Sequence, residues 1–134
     1  MDFSSPLTLA SDDSPFLMQK RIALLEAIEQ HGSISKAAKV VPMSYKSAWD
    51  AVDAMNNLGS DTVVLRATGG KGGGGARLSG YGSRLVATYR ALQKQHAQFL
   101  NKLSEAADFD SGSLKTLERF AMQLSARNQI SGII

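Results

Sequence analysis

Four apolar residues, Leu17, Ile22, Leu25 and Ile28, recur at helical spacing between Phe16 and His31, and Gly32 follows as a stop. They predict a first helix over residues 16–31. Residues 1–15 ahead of it are rich in Ser, Asp and Pro, with one short run, Leu7-Thr8-Leu9, able to add an edge strand. After Gly32, Ser33 and Ser35 are candidate N-caps of a short second helix over residues 36–40. Its Ala37 and Ala38 are small enough for a close helix crossing. Val41-Pro42-Met43 makes a turn, and Ser44 caps a third helix over residues 44–57. Advancing about 100° per residue from Ala48 puts Ala51, Val52, Met55 and Leu58 on one side. Lys46, Asp50, Asp53 and Asn57 fall on the opposite side, with Tyr45 and Trp49 on the flank.

The period then changes. Residues 63–68, VVLRAT, are β-branched and read as a strand, and residues 76–79, ARLS, can return beside it. Between them lies GGKGGGG, which holds six of the twelve glycines. A hairpin directly after such a helix is the wing of a winged helix. Residues 81–103 read as one long helix capped by Ser79. In it Leu85, Tyr89, Leu92, His96, Phe99 and Leu103 alternate spacings of four and three, the seam of a short coiled coil. Residues 104–113 form a polar, acidic linker. Leu114, Leu117, Phe120 and Leu124 suit helix or strand, and SARNQISGII, which ends the sequence, is strand-like. The expected fold is mainly α with a small β-hairpin: a winged helix-turn-helix followed by a long dimerisation helix. Its layout is a lead (1–18), the winged domain (19–80), the long helix (81–103), a linker (104–113) and a last segment (114–134).

At 134 residues and 43% hydrophobic content the chain suits one domain with an appended segment. It has no cysteine, which excludes disulfides, thiolate metal sites and cysteine nucleophiles. No basic residue precedes Lys20, and no apolar run approaches the ~18 residues of a membrane span. A cytoplasmic protein without membrane contact is expected. Charge distribution says more than the net +3: residues 33–94 carry nine basic and three acidic side chains, a local +6 against −3 elsewhere. Such a block suits a polyanion partner. A solvated basic face is the plainer reading.

The glycine loop admits several readings. A nucleotide P-loop needs Gly-Lys followed by Ser or Thr and a helix, whereas Lys71 is followed by Gly72. As a wing tip, the loop offers backbone N–H groups at Gly72 and Gly73 to a phosphate, with Lys71 adding charge and Arg66 and Arg77 on the flanking strands. The plainer alternative is a flexible hairpin. The acid-free run over residues 62–97 favours phosphate contact. His96 reads as a packed, hydrogen-bonded histidine rather than a metal ligand, and His31 suits the C-terminal end of the first helix dipole. Neither histidine lies near a paired acid in sequence, and no acidic metal cluster is visible. An enzyme is not expected, nor a cofactor or metal in this chain.

SYKSAWDAVDAMN and RATGGKGGGGARL, together with GSISKAAK and the following YG, resemble the N-terminal domain of the molybdate-responsive transcriptional regulator ModE family. The resemblance covers about residues 19–103, and the glycine string is its most specific part. It implies a homodimeric, DNA-binding winged-helix protein that recognises inverted-repeat operators and regulates molybdate-uptake and molybdenum-enzyme genes, mainly as a repressor. The SARNQ segment resembles the opening of that family's molybdate-binding domain. By that resemblance Ser125, Ala126 and Arg127 form one part of an oxyanion site: a hydroxyl, a backbone amide and a guanidinium. The remaining ligand segments are missing, so molybdate is expected as effector of the complete architecture and to bind this chain weakly or not at all. The chain is either a piece of a longer regulator or a shortened form.

Within a winged helix, Ser44, Tyr45, Lys46, Ser47 and Asp50 are expected in the major groove, with Lys46 donating to guanine and Asp50 accepting from cytosine. A weak Lys46–Asp50 surface pair is the alternative, since the two are four residues apart. Trp49 reads as a packed rim residue or a thymine-methyl contact. Ser33, Ser35, Lys36, Lys39, Arg66, Lys71, Gly72, Gly73 and Arg77 are expected to hold phosphates. A competing expectation is an interaction module that forms mixed dimers with a full-length relative through the long helix.

Overall fold

Asp12 and Asp13 both take positive φ, 50° and 62°, as the tight two-residue turn of a β-hairpin requires. They join β1 (Leu9–Ser11) to β2 (Ser14–Leu17), which pair antiparallel. The computed structural model describes residues 2–67, 75–109 and 114–131. Lys71, Gly72 and Gly73 of the expected wing tip lie outside the described residues.

Contacts divide the chain into two units, Pro6–Gln93 and a second made of Met1–Ser5 with Lys94–Ile134. The first is the winged domain, and it begins earlier than its hydrophobic periodicity suggests. Phe16 and Leu17 of β2 are buried, and Leu7 and Leu9 pack against the same core. The expected lead of residues 1–18 is therefore largely part of the domain. The expected edge strand lies two residues later than Leu7, paired with β2.

Helix α1 (Gln19–His31) follows, with Ile22, Leu24, Leu25, Ala27 and Ile28 buried. Gly32 ends it at φ 74°, a conformation that costs glycine little and any residue with a Cβ more. Helix α2 (Ile34–Val40) starts from Ser33, whose Oγ accepts from the Lys36 amide at 3.0 Å. Helix α3 (Tyr45–Leu58) starts in the same way from Ser44, whose Oγ accepts from the Ser47 amide at 3.0 Å. Its buried stripe is Ala48, Ala51, Val52 and Met55, as the 3.6-residue period requires.

The wing consists of β3 (Val64–Arg66) and β4 (Ala76–Leu78), antiparallel with Leu65 opposite Arg77. The Ala76 amide donates to the Gly32 carbonyl at 2.8 Å, which ties β4 to the end of α1. Helix α4 (Gly80–Phe109) begins where Ser79 Oγ accepts from the Gly82 amide at 2.9 Å. Gly82 lies so near the Val63 carbonyl that a Cβ would collide with backbone there. Within this unit α4 contributes Tyr89, fully buried, whose hydroxyl donates to the Leu7 carbonyl at 2.7 Å. Arg90 makes a bidentate pair with Glu26 of α1 and also donates to Gln19 and Gln93.

In the second unit, the Phe3 amide donates to Ser104 Oγ at 2.8 Å, and His96 Nε2 lies 3.1 Å from the Ser5 carbonyl. Helix α5 (Leu114–Ser131) closes a cleft of about 240 Å³ with α4, lined by Gln98, Phe99, Lys102 and Phe120 among others. The strand expected from Ser125 onward is helix up to Ser131. The reason is hydrogen bonding. Among the described residues this unit offers no strand to pair with, and a helix satisfies its backbone within itself. The Leu, Ala, Met, Gln and Arg content of residues 114–129 also favours helix.

Candidate nucleic-acid interface

One face of the N-terminal turns of α3 stands free of the core, opposite the buried Ala48. Ser44, Tyr45, Lys46, Ser47 and Asp50 are all exposed, Tyr45 at 57%. Ser44 Oγ donates to Ser47 Oγ at 2.8 Å while also capping the helix, so the two hydroxyls form one polar patch. Lys46 Nζ lies 3.7 Å from Asp50 Oδ2, and both side chains are mostly in solvent. A pair this exposed contributes little to stability and is easily opened by a competing partner.

Beside this end of α3 lies a cleft of about 410 Å³ that Lys36, Lys39, Tyr45, Trp49, Arg66 and Gly75 help to line. Ser33 and Ser35 line it too, bringing together most of the described residues expected to meet phosphate. Among the described residues Lys36, Lys39 and Arg77 form no ion pair, which leaves their charge available. Arg66 differs. Its guanidinium sits over the Trp49 ring at 4.5 Å and 3.9 Å from Asp53 Oδ1. Tyr45 meets Trp49 edge to face, with centroids 5.9 Å apart. Trp49 is thus half-buried and packed, while its buried indole N–H has no hydrogen-bond partner among the described residues.

Relatives match almost the whole chain. A protein of Azotobacter vinelandii named molybdenum transport protein ModE is 47% identical over 137 residues, covering 98% of this chain and 51% of the relative. The DNA-binding transcriptional dual regulator ModE of Escherichia coli (strain K12) is 46% identical over 129 residues, covering 96% of this chain and 49% of its own. The chain belongs to the ModE family, as that family's N-terminal domain. It spans about half the length of the curated ModE relatives it matches. The molybdenum-pterin-binding protein MopB of Rhodobacter capsulatus is 45% identical over 109 residues, covering 81% of this chain and 40% of the relative. No family model matches. The ModE relatives include proteins named as transcriptional regulators, and none of these names is that of an enzyme.

The expected dimer seam is divided by the fold. Tyr89 belongs to the core of its own domain, where a second chain cannot reach it. Leu85 packs partly against that core, while Leu92 is 44% exposed. In the second unit Phe99 is 40% exposed, Leu103 is half-buried and His96 bonds to Ser5. The expected part of an oxyanion site lies on α5. Ser125 and Ala126 are exposed there, and the Arg127 side chain lies outside the described residues. An amide inside an α-helix is committed to the carbonyl four residues earlier, so helical Ala126 is a poor oxyanion donor.

Sequence reasoning missed Asn56. Its Oδ1 accepts from the Val63 and Val64 amides at 2.8 and 3.0 Å, and its Nδ2 donates to the Val64 carbonyl at 3.3 Å. One side chain of α3 thereby holds the start of the wing. Its place seven residues after Trp49, on one helix face, was the available signal.

Proposed function

We propose that this chain is the DNA-reading part of a transcriptional regulator of molybdate-uptake and molybdenum-related genes, binding an inverted-repeat operator as a homodimer. The observation that carries this reading is the exposed polar end of α3, from Ser44 to Asp50, standing beside the cleft that holds Lys36 and Lys39. In a winged helix that end enters the major groove. Lys46 and Asp50 then exchange their mutual contact for base edges, guanine O6/N7 and cytosine N4. Ser33, Ser35, Lys36, Lys39 and Arg77, with Lys71, Gly72 and Gly73 of the loop, take phosphates on either side.

Two copies are needed to read two half-sites. Within the first unit the exposed Leu92 of α4 offers apolar surface for pairing, and within the second Phe99 does so by itself. Molybdate acts through the remainder of the family architecture, and this chain alone binds it weakly or not at all.

The test is fluorescence anisotropy of the chain against a duplex selected by it from a random library and a scrambled duplex of equal composition, at one stated salt concentration. Preferential binding of an inverted repeat supports the proposal. Equal, salt-sensitive binding of both duplexes would mean a basic patch without sequence reading, and would overturn it.

A further inference from the structure

Trp49, Asp53 and Asn56 succeed one another at four and three residues, a single stripe along α3, and each touches the wing strand β3. Asn56 binds the backbone of Val63 and Val64, at the start of the strand. Trp49 and Asp53 take Arg66, at its end. The strand therefore runs back along the helix toward the reading end, and among the described residues Arg66 makes its last contact with α3.

We propose that Arg66 is a positioning residue: it clamps the wing to the reading helix through the Trp49 ring and the Asp53 carboxylate, and so sets sequence discrimination rather than neutralising a phosphate. The proposal rests on the DNA-reading function above and replaces the phosphate role that the charge of Arg66 first suggested. A guanidinium lying on an indole is attracted by the ring's face, and its planar shape matches it as an ammonium does not. Asp53 offsets the positive charge, unlike at Lys36 or Lys39. Trp49 in turn packs edge-on against Tyr45, whose ring is exposed at the groove-facing end. A shift of Arg66 reaches the reading surface by one intervening side chain.

Arg66→Lys separates the two roles, because it keeps the charge and loses the planar stack. Trp49 is the sole tryptophan, so tryptophan emission reports the surroundings of the ring on which Arg66 lies. Its emission shifts in Arg66→Lys, while far-ultraviolet circular dichroism matches the parent. Anisotropy titrations against the selected and scrambled duplexes then show affinity for the selected duplex falling by about tenfold, with scrambled binding and the salt slope unchanged. An unshifted emission overturns the proposal, as does a selected-to-scrambled ratio equal to that of the parent. Equal loss on both duplexes overturns it in favour of a phosphate contact. Absence of any preference in the parent chain would sink the DNA-reading function itself, and with it the proposal.

Discussion

Two sides of the winged domain use their arginines and lysines in opposite ways. Where α1 meets α4, Arg90 is engaged by Glu26, Gln19 and Gln93, and the Glu26 hydrogen bond is the largest influence holding its guanidinium above its ordinary pKa. Where α2, α3 and the wing converge, Lys36, Lys39 and Arg77 have no carboxylate partner among the described residues, and Lys46 has only a solvent-exposed one. Both sets belong to the same basic block in sequence. Charge count alone assigns them to one face. Partners divide them into a structural set that joins helices and a free set that can meet a polyanion.

On this division, removing a charge on the joined side alters stability and removing one on the free side alters binding, while an uncharged tie acts on stability on either side. The largest expected effect is at Asn56, which fastens β3 to α3. Asn56→Ala leaves the Val63 and Val64 amides without their acceptor and should cost about 2–3 kcal/mol in urea unfolding. A loss under half a kcal/mol would show that water replaces the side chain without penalty.

Lys46→Ala should leave the unfolding midpoint in place and weaken discrimination at the base pair it contacts by about 1–3 kcal/mol. Intact preference across a set of singly substituted duplexes would break the assignment of that end of α3 to the groove. Arg90→Ala should lower stability by about 1 kcal/mol, since both partners are partly in solvent and screened. Lys39→Ala should do the reverse, lowering the salt slope of DNA binding by about one with no change in stability. If Arg90→Ala changed that slope as Lys39→Ala does, the two sides would not be distinct.

The smallest effect is at high pH. Burial raises the Tyr89 hydroxyl above its ordinary value of 10.0, and Arg90 beside it opposes that rise more weakly. In the unfolded chain Tyr89 ionises at its ordinary pKa, while in the folded chain it stays neutral to higher pH. Its contribution is therefore complete below about pH 10 and is lost as pH rises through the folded value. Subtracting the profile of Tyr89→Phe from that of the parent should reveal a decline on the alkaline side only.

Local order was legible in the chain. Helical spacing located α1 and α3, Ser33 and Ser44 marked the starts of α2 and α3, and β-branched residues around a glycine run marked the wing, because each signal lies within a few residues of the structure it makes. Exposure of Lys46 and Asp50 followed from the same period. The N-terminal hairpin was only half visible: Leu7 and Leu9 hinted at a strand, but their value depends on the core they cover. The stretch from Ser125 reads as strand and is helix up to Ser131, because β-propensity reflects a neighbour to pair with, and none is present there among the described residues.

By itself, then, the amino-acid order determined the helix-turn-helix, the wing and the basic block. Tertiary structure alone decided which charges are free, through pairings such as Arg90 with Glu26, separated by 64 positions. It also decided that Tyr89 faces its own core rather than a second chain, and that Arg66 lies on Trp49. The physical reason is the same in each case. Backbone hydrogen bonding and side-chain periodicity are local, whereas desolvation and ion pairing depend on neighbours that only folding brings together.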